Sequence, residues 1–74
     1  MKKGDKIIWD SGFDYDLGYF VKEGESLCYD RVMIKNVTGF TGLCLLPVDE
    51  VIPYTDKNRL RMKQKYHVEL VFNK

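Results

Sequence analysis

Two short apolar runs, Val32–Val37 and Leu43–Val48, are separated by Thr38-Gly39-Phe40-Thr41-Gly42. Both runs are rich in β-branched and aliphatic residues and are bounded by turn-forming ones, the pattern of half-buried strands. Two glycines within a five-residue connection supply the positive-φ positions that a longer hairpin loop or bulge requires. The stretch therefore predicts a β-hairpin that the remaining chain folds around. Val32, Ile34, Leu43 and Leu45 are expected in its core, and Gly39 and Gly42 at its turn. With 74 residues in all, there is room for one domain, residues 1–74, with one small core.

The flanking sequence extends the same pattern. Asp5–Trp9 reads as a first strand with Ile7 and Trp9 on one face and Ile8 on the other. Residues 10–18, rich in Gly, Asp and Ser, read as a loop before a second strand, Gly18–Lys22. The third strand is Tyr29–Val37 and the fourth Leu43–Val48. Val48-Asp49-Glu50 forms a tight turn into a fifth, Val51–Tyr54. Pro47 and Pro53 lack a backbone donor, which places both of their strands at sheet edges or bends.

Beyond the polar Thr55–Asn58, Leu60, Met62, Tyr66, Val68, Leu70 and Phe72 occupy even positions, interrupted by Gln64. Arg59, Arg61, Lys63, Lys65, His67 and Glu69 occupy odd ones. This period-two alternation predicts an additional C-terminal strand. Helix formers dominate residues 59–65, so a short helix near 57–65 is the competing reading. The fold class expected is all-β: a small, five-stranded, partly open barrel carrying a basic extension at 57–74.

Lys3-Gly4-Asp5-x-Ile7-x-Trp9-x-Ser11-Gly12, followed by Gly18-Tyr19-Phe20-Val21, resembles the opening of SH3-like barrels of the KOW type. Val48-Asp49-Glu50-Val51-Ile52-Pro53 is similar to the turn and last strand of such domains. The resemblance covers about residues 3–54 and leaves the tail outside. It implies an SH3-like fold and a binding role without fixing the ligand, since barrels of this kind serve nucleic acids, peptides and proteins alike.

Charge is strongly segregated. Residues 4–56 hold four Lys or Arg against ten Asp or Glu, whereas residues 57–74 hold six against Glu69 alone. An acidic body with a basic tail bears on partners rather than on fold. No apolar run approaches the roughly 20 residues that span a bilayer, so no membrane partner is expected. The apolar stretch behind Met1-Lys2-Lys3 is too short for a signal-peptide core, and a cytoplasmic protein is predicted. Cys28 and Cys44 have neither CxxC spacing nor companion histidines, which fits two reduced thiols better than a metal site. Asp14, Asp16 and Glu25 have the spacing of calcium-loop ligands. However, Tyr19 stands where such a loop needs glycine, so no metal or other cofactor is expected.

Two surfaces are candidates for binding. On a strand, Arg59, Arg61, Lys63, Lys65 and His67 would project from one face about 6.5–7 Å apart, close to the phosphate repeat of a nucleic-acid strand. This predicts a non-catalytic module that contacts nucleic acid, RNA above duplex DNA, or else an acidic protein surface. The alternative is a protein–protein module, a small inhibitor or adaptor, using the acidic aromatic group Trp9, Phe13, Asp14, Tyr15, Asp16 and Tyr54. One form of it is a homodimer in which the basic tail strand of one copy lies on the acidic body of another. No enzyme is expected: His67 is the sole histidine, its one nearby carboxylate is Glu69, and no nucleophile–base pair is visible.

Overall fold

A computed structural model describes residues 1–24, 30–36 and 42–72. The chain forms β1 (Lys6–Asp10), β2 (Tyr15–Glu23), β3 (Arg31–Asn36), β4 (Leu43–Pro47), a 3-10 turn (Val48–Glu50), β5 (Val51–Pro53) and one helix, α1 (Asp56–Tyr66). The strands make a single antiparallel sheet in the order β4-β3-β2-β1-β5. Successive strands pair as neighbours until β5, which returns across the sheet to lie beside β1. The hairpin pairing is as expected, with Val32 opposite Leu46 and Ile34 opposite Cys44. Its connecting residues 37–41, including Gly39, lie outside the described residues, as do Glu25, Cys28 and Tyr29. Pro47 and Pro53 both fall on the two edge strands, where a missing donor costs no ladder hydrogen bond.

The sheet has two cores because β1 is buried on both faces. Ile7 and Ile8 are each fully buried, and alternation sends them to opposite sides. On one side Ile7 packs with Phe20, Val32, Ile34 and Val51, with Trp9, Cys44 and Leu46 around them. On the other, Ile8 packs with Leu17, Met62 and Leu70, flanked by Tyr15, Ile52, Tyr54, Tyr66, Val68 and Phe72. Strand β2 bends around the first core through a bulge: Phe20 faces Ile34, but Lys22 faces Met33, leaving Val21 as the extra residue. Gly18 is needed for close strand approach, since a Cβ there would sit 2.7 Å from the Lys35 carbonyl oxygen.

Three sequence expectations are corrected. The sheet does not close into a barrel, because its two edges, β4 and β5, are not paired with each other. Instead, the second face is closed by α1 and the segment after it. The additional C-terminal strand is a helix. Thr55 caps it, its Oγ1 accepting from the Asn58 N–H at 3.2 Å, and Asp56 in the first turn opposes the helix dipole. Met62 and Tyr66, four apart, then turn onto the sheet together. His67 ends the helix in the left-handed conformation, φ 59°, with its N–H donating to the Lys63 carbonyl.

Finally, Leu43 and Leu45 are not core residues but 59% and 43% exposed. Their register opposite Lys35 and Met33 puts them on the second face, beyond the β1, β2 and β5 residues that the second core draws on. Cys44 and Leu46 pack inward in their place.

Met62 is 1% exposed, so Met62→Ala should lower the unfolding free energy by about 2–5 kcal/mol in urea titrations. Leu60→Ala, on the solvent side of the same helix, should stay within about 0.5 kcal/mol. Equal effects would mean that α1 is not seated as described. Gly18→Ala should cost about 1–3 kcal/mol through the enforced contact with the Lys35 backbone, read by the same titration.

Candidate functional site

On α1 the five basic side chains no longer share a face, because successive odd positions are about 200° apart around a helix. Arg59 and Lys63 flank a shallow groove of about 190 Å³ whose lining includes Leu60 and Leu70. Arg59 Nη1 reaches Asp56 Oδ1 at 3.4 Å, and its guanidinium lies over the Tyr54 ring, 5.5 Å from the centroid. Its Nε is buried without a partner among the described residues. Lys63 Nζ pairs with Glu69 Oε1 at 2.8 Å. That hydrogen bond, reinforced by the charge, holds the Glu69 carboxyl below its ordinary range. Lys65 Nζ pairs with Asp10 Oδ2 at 2.9 Å. Of the predicted row, Arg59, Lys63 and Lys65 are thus paired within the fold, and exposed His67 serves the helix terminus through its backbone.

A different row takes its place. Lys57, Arg61 and Lys65 recur every four residues, which leaves them on one side of α1 about 6 Å apart along the axis. Lys57 and Arg61 are exposed and form no ion pair among the described residues. Lys57 lies outside the row that strand periodicity picked out. Helical spacing applied to the same residues would have included it.

The acidic aromatic group is also divided by the fold. Trp9 packs on the first core and donates from Nε1 to Glu50 Oε1 at 3.0 Å, tying β1 to the 3-10 turn. Tyr54 lies against the second core, donating its hydroxyl to the Leu70 carbonyl at 2.8 Å with its ring edge-on to Phe72. Tyr15 stacks on Tyr66, ring centroids 4.8 Å apart. Asp16 is half-buried, its carboxylate accepting from the Leu17 N–H. Phe13 and Asp14 remain at the exposed tip of the β1–β2 turn, with Phe13 97% exposed.

Asp10 joins the two surfaces, a role the sequence reading did not assign. Its Oδ1 accepts from the Tyr66 hydroxyl and from the Gly12 N–H, and its Oδ2 from Lys65. Partial burial, the largest single influence, pushes the Asp10 carboxyl up. The donors from Tyr66, Lys65 and Gly12 together outweigh it and hold the group below its usual value. The same hydrogen bonds raise Lys65 and Tyr66.

No group of three or more His, Cys, Asp or Glu side chains suited to a metal occurs among the described residues. No helix there is long and apolar enough to cross a membrane. No family model, curated protein or solved structure matches the chain.

Because Asp10 releases its proton more readily in the fold than in the unfolded chain, its stabilisation is complete above the ordinary carboxylate range. It is lost as pH falls through the depressed folded value. The unfolding free energy should therefore decline on acidification between about pH 5 and pH 2, and Asp10→Asn should flatten that decline. Parallel wild-type and Asp10→Asn curves in urea titrations across this range would mean that the contacts of Asp10 with Tyr66 and Lys65 do not supply this stabilisation.

Proposed function

We propose that this protein is a non-catalytic binding module whose helix α1 contacts the phosphates of a single nucleic-acid strand, RNA in the first instance. The observation that carries the reading is the outward row Lys57, Arg61 and Lys65, with Lys57 and Arg61 unpaired among the described residues. Phosphates spaced along an extended strand match cations about 6 Å apart, and such contacts position a ligand without reading its bases. The antiparallel sheet, with β5 returned beside β1, supports treating the body as an SH3-like scaffold that presents the helix. A catalytic role draws no support from His67, whose backbone is used to end the helix.

This geometry engages fewer cations than an all-basic strand face would. Two or three phosphate contacts give a logarithmic salt slope of about −1.4 to −2 for a single strand, against about −3.5 for five. Fluorescence anisotropy of a labelled uridine oligonucleotide titrated in rising salt should return the smaller slope. Lys57→Gln with Arg61→Gln should remove the binding and leave the circular dichroism spectrum unchanged. Unaltered affinity in that double variant would end the proposal.

A further inference from the structure

The β1–β2 turn is built more tightly than a four-residue connection needs to be. Every backbone N–H from Ser11 to Tyr15 is used locally. The Ser11 N–H donates to the Asp14 carbonyl at 3.0 Å, and the Gly12 N–H to Asp10 Oδ1 at 2.9 Å. The Phe13 and Asp14 N–H groups both donate to Ser11 Oγ, at 3.3 and 2.9 Å, and the Tyr15 N–H donates to Asp14 Oδ1 at 2.8 Å. The Ser11 hydroxyl closes the loop by donating to the Asp14 carbonyl at 3.1 Å. Gly12 takes φ +93°, a conformation open to glycine at little cost. The base of the turn is fixed in turn by Asp10, held by Tyr66 and Lys65 from α1.

On this rigid turn the one side chain that the fold does not use is Phe13. At 97% exposure it touches almost nothing, so its ring contributes no packing to the folded state. A scattered exposed apolar residue on a loose loop requires no explanation. Here, the backbone that carries a large aromatic ring is fixed by a hydrogen-bonded frame, so its ordering is already accomplished. Such preorganisation, together with the small rotamer entropy of a ring, characterises an anchor for a partner. The surroundings select the partner's chemistry. Asp14, next to Phe13 in the turn, is exposed, while Lys65 of α1 is engaged by Asp10 at the base of the turn. An exposed carboxylate next to an apolar anchor favours a positively rimmed surface and disfavours phosphate, whether of nucleic acid or of an anionic bilayer.

We propose that the β1–β2 turn is a protein-docking surface: Phe13 inserts into an apolar protein surface flanked by Lys or Arg, and Asp14 meets that basic rim. This contact is separate from the polyanion contact of α1, and its variants leave Lys57 and Arg61 untouched.

An amphipathic helical peptide of leucine and lysine, apolar along one stripe and basic beside it, reproduces the required partner chemistry. Its leucine–glutamate counterpart reverses the rim. In NMR titrations at low salt the lysine peptide should shift amide resonances of residues 12–15, and the glutamate peptide should not. Phe13→Ala should weaken binding at least tenfold, about 1.4 kcal/mol, with thermal stability unchanged because the ring is not packed. Phe13→Leu should recover part of the loss, and Asp14→Asn should reduce the salt dependence. Equal binding by wild type and Phe13→Ala, or by the two peptides, would overturn the assignment. So would Phe13-dependent binding to phosphatidylcholine–phosphatidylglycerol vesicles with none to the lysine peptide, which would make the turn a lipid contact.

Discussion

Ile7 and Ile8 are neighbours in sequence, point to opposite faces of the sheet, and are both fully buried. A strand with that property cannot belong to a sheet that leaves one face to water. The hydrophobic free energy of each side chain, about 1.5–3 kcal/mol on full burial, is realised only if both faces are covered. The hairpins of β2, β3 and β4 curl over Ile7, and β5 completes that side through Val51. Among the described residues, Met62 and Leu70 complete the cover of Ile8, and this makes the C-terminal segment part of the domain instead of a tail. Met62 and Leu70 supply the second core from the helix and from the segment after it respectively.

Seating α1 on that face has consequences at the surface. Once Met62 and Tyr66 face inward, the helix can present its cations only as separate rows, and two of these cations meet carboxylates of the body and tail. Lys65 meets Asp10 and Lys63 meets Glu69, so part of the charge segregation visible in the sequence is used within the molecule. The Asp10 latch couples the far end of the helix to the base of the β1–β2 turn. The base of that turn is therefore held by α1. The hydrogen bonds are individually modest, but each of Asp10, Tyr66 and Lys65 is held by more than one contact, since Tyr66 also stacks on Tyr15 and Lys65 lies over the Tyr66 ring.

Much of the sheet was legible in local pattern. Alternation at Ile7, Ile8 and Trp9, Gly42 with its positive φ before Leu43, and the prolines at 47 and 53 all report backbone constraints that act over a few residues. The C-terminal segment was harder, because its even-position pattern combines two structures. Val68, Leu70 and Phe72 do alternate in burial after the helix, as period two implies. Met62 and Tyr66 are also an i, i+4 helical pair, and a single parity fits both. The capping signal was present in Thr55-Asp56, but deciding between the two required knowing that Ile8 needed a cover. The parity of β4 was misread for a similar reason. Cys44 and Leu46 are as apolar as Leu43 and Leu45, so nothing in Leu-Cys-Leu-Leu says which pair faces the core. At the candidate site, sequence alone could group charges but could not show which of them the fold pairs. Nor could it show that Trp9 and Tyr15 pack on opposite faces of the sheet while Phe13 stays exposed at the turn.

The claim on which these surfaces rest is that α1 packs against the Ile8 face of β1. Methyl NOE spectroscopy on isoleucine-, leucine- and methionine-labelled protein measures this directly. The Met62 ε-methyl should show cross-peaks to methyls of Ile8 and Leu17, which share its cluster. A Met62 methyl with the sharp resonance of an exposed methionine and no contact to Ile8 would contradict the arrangement.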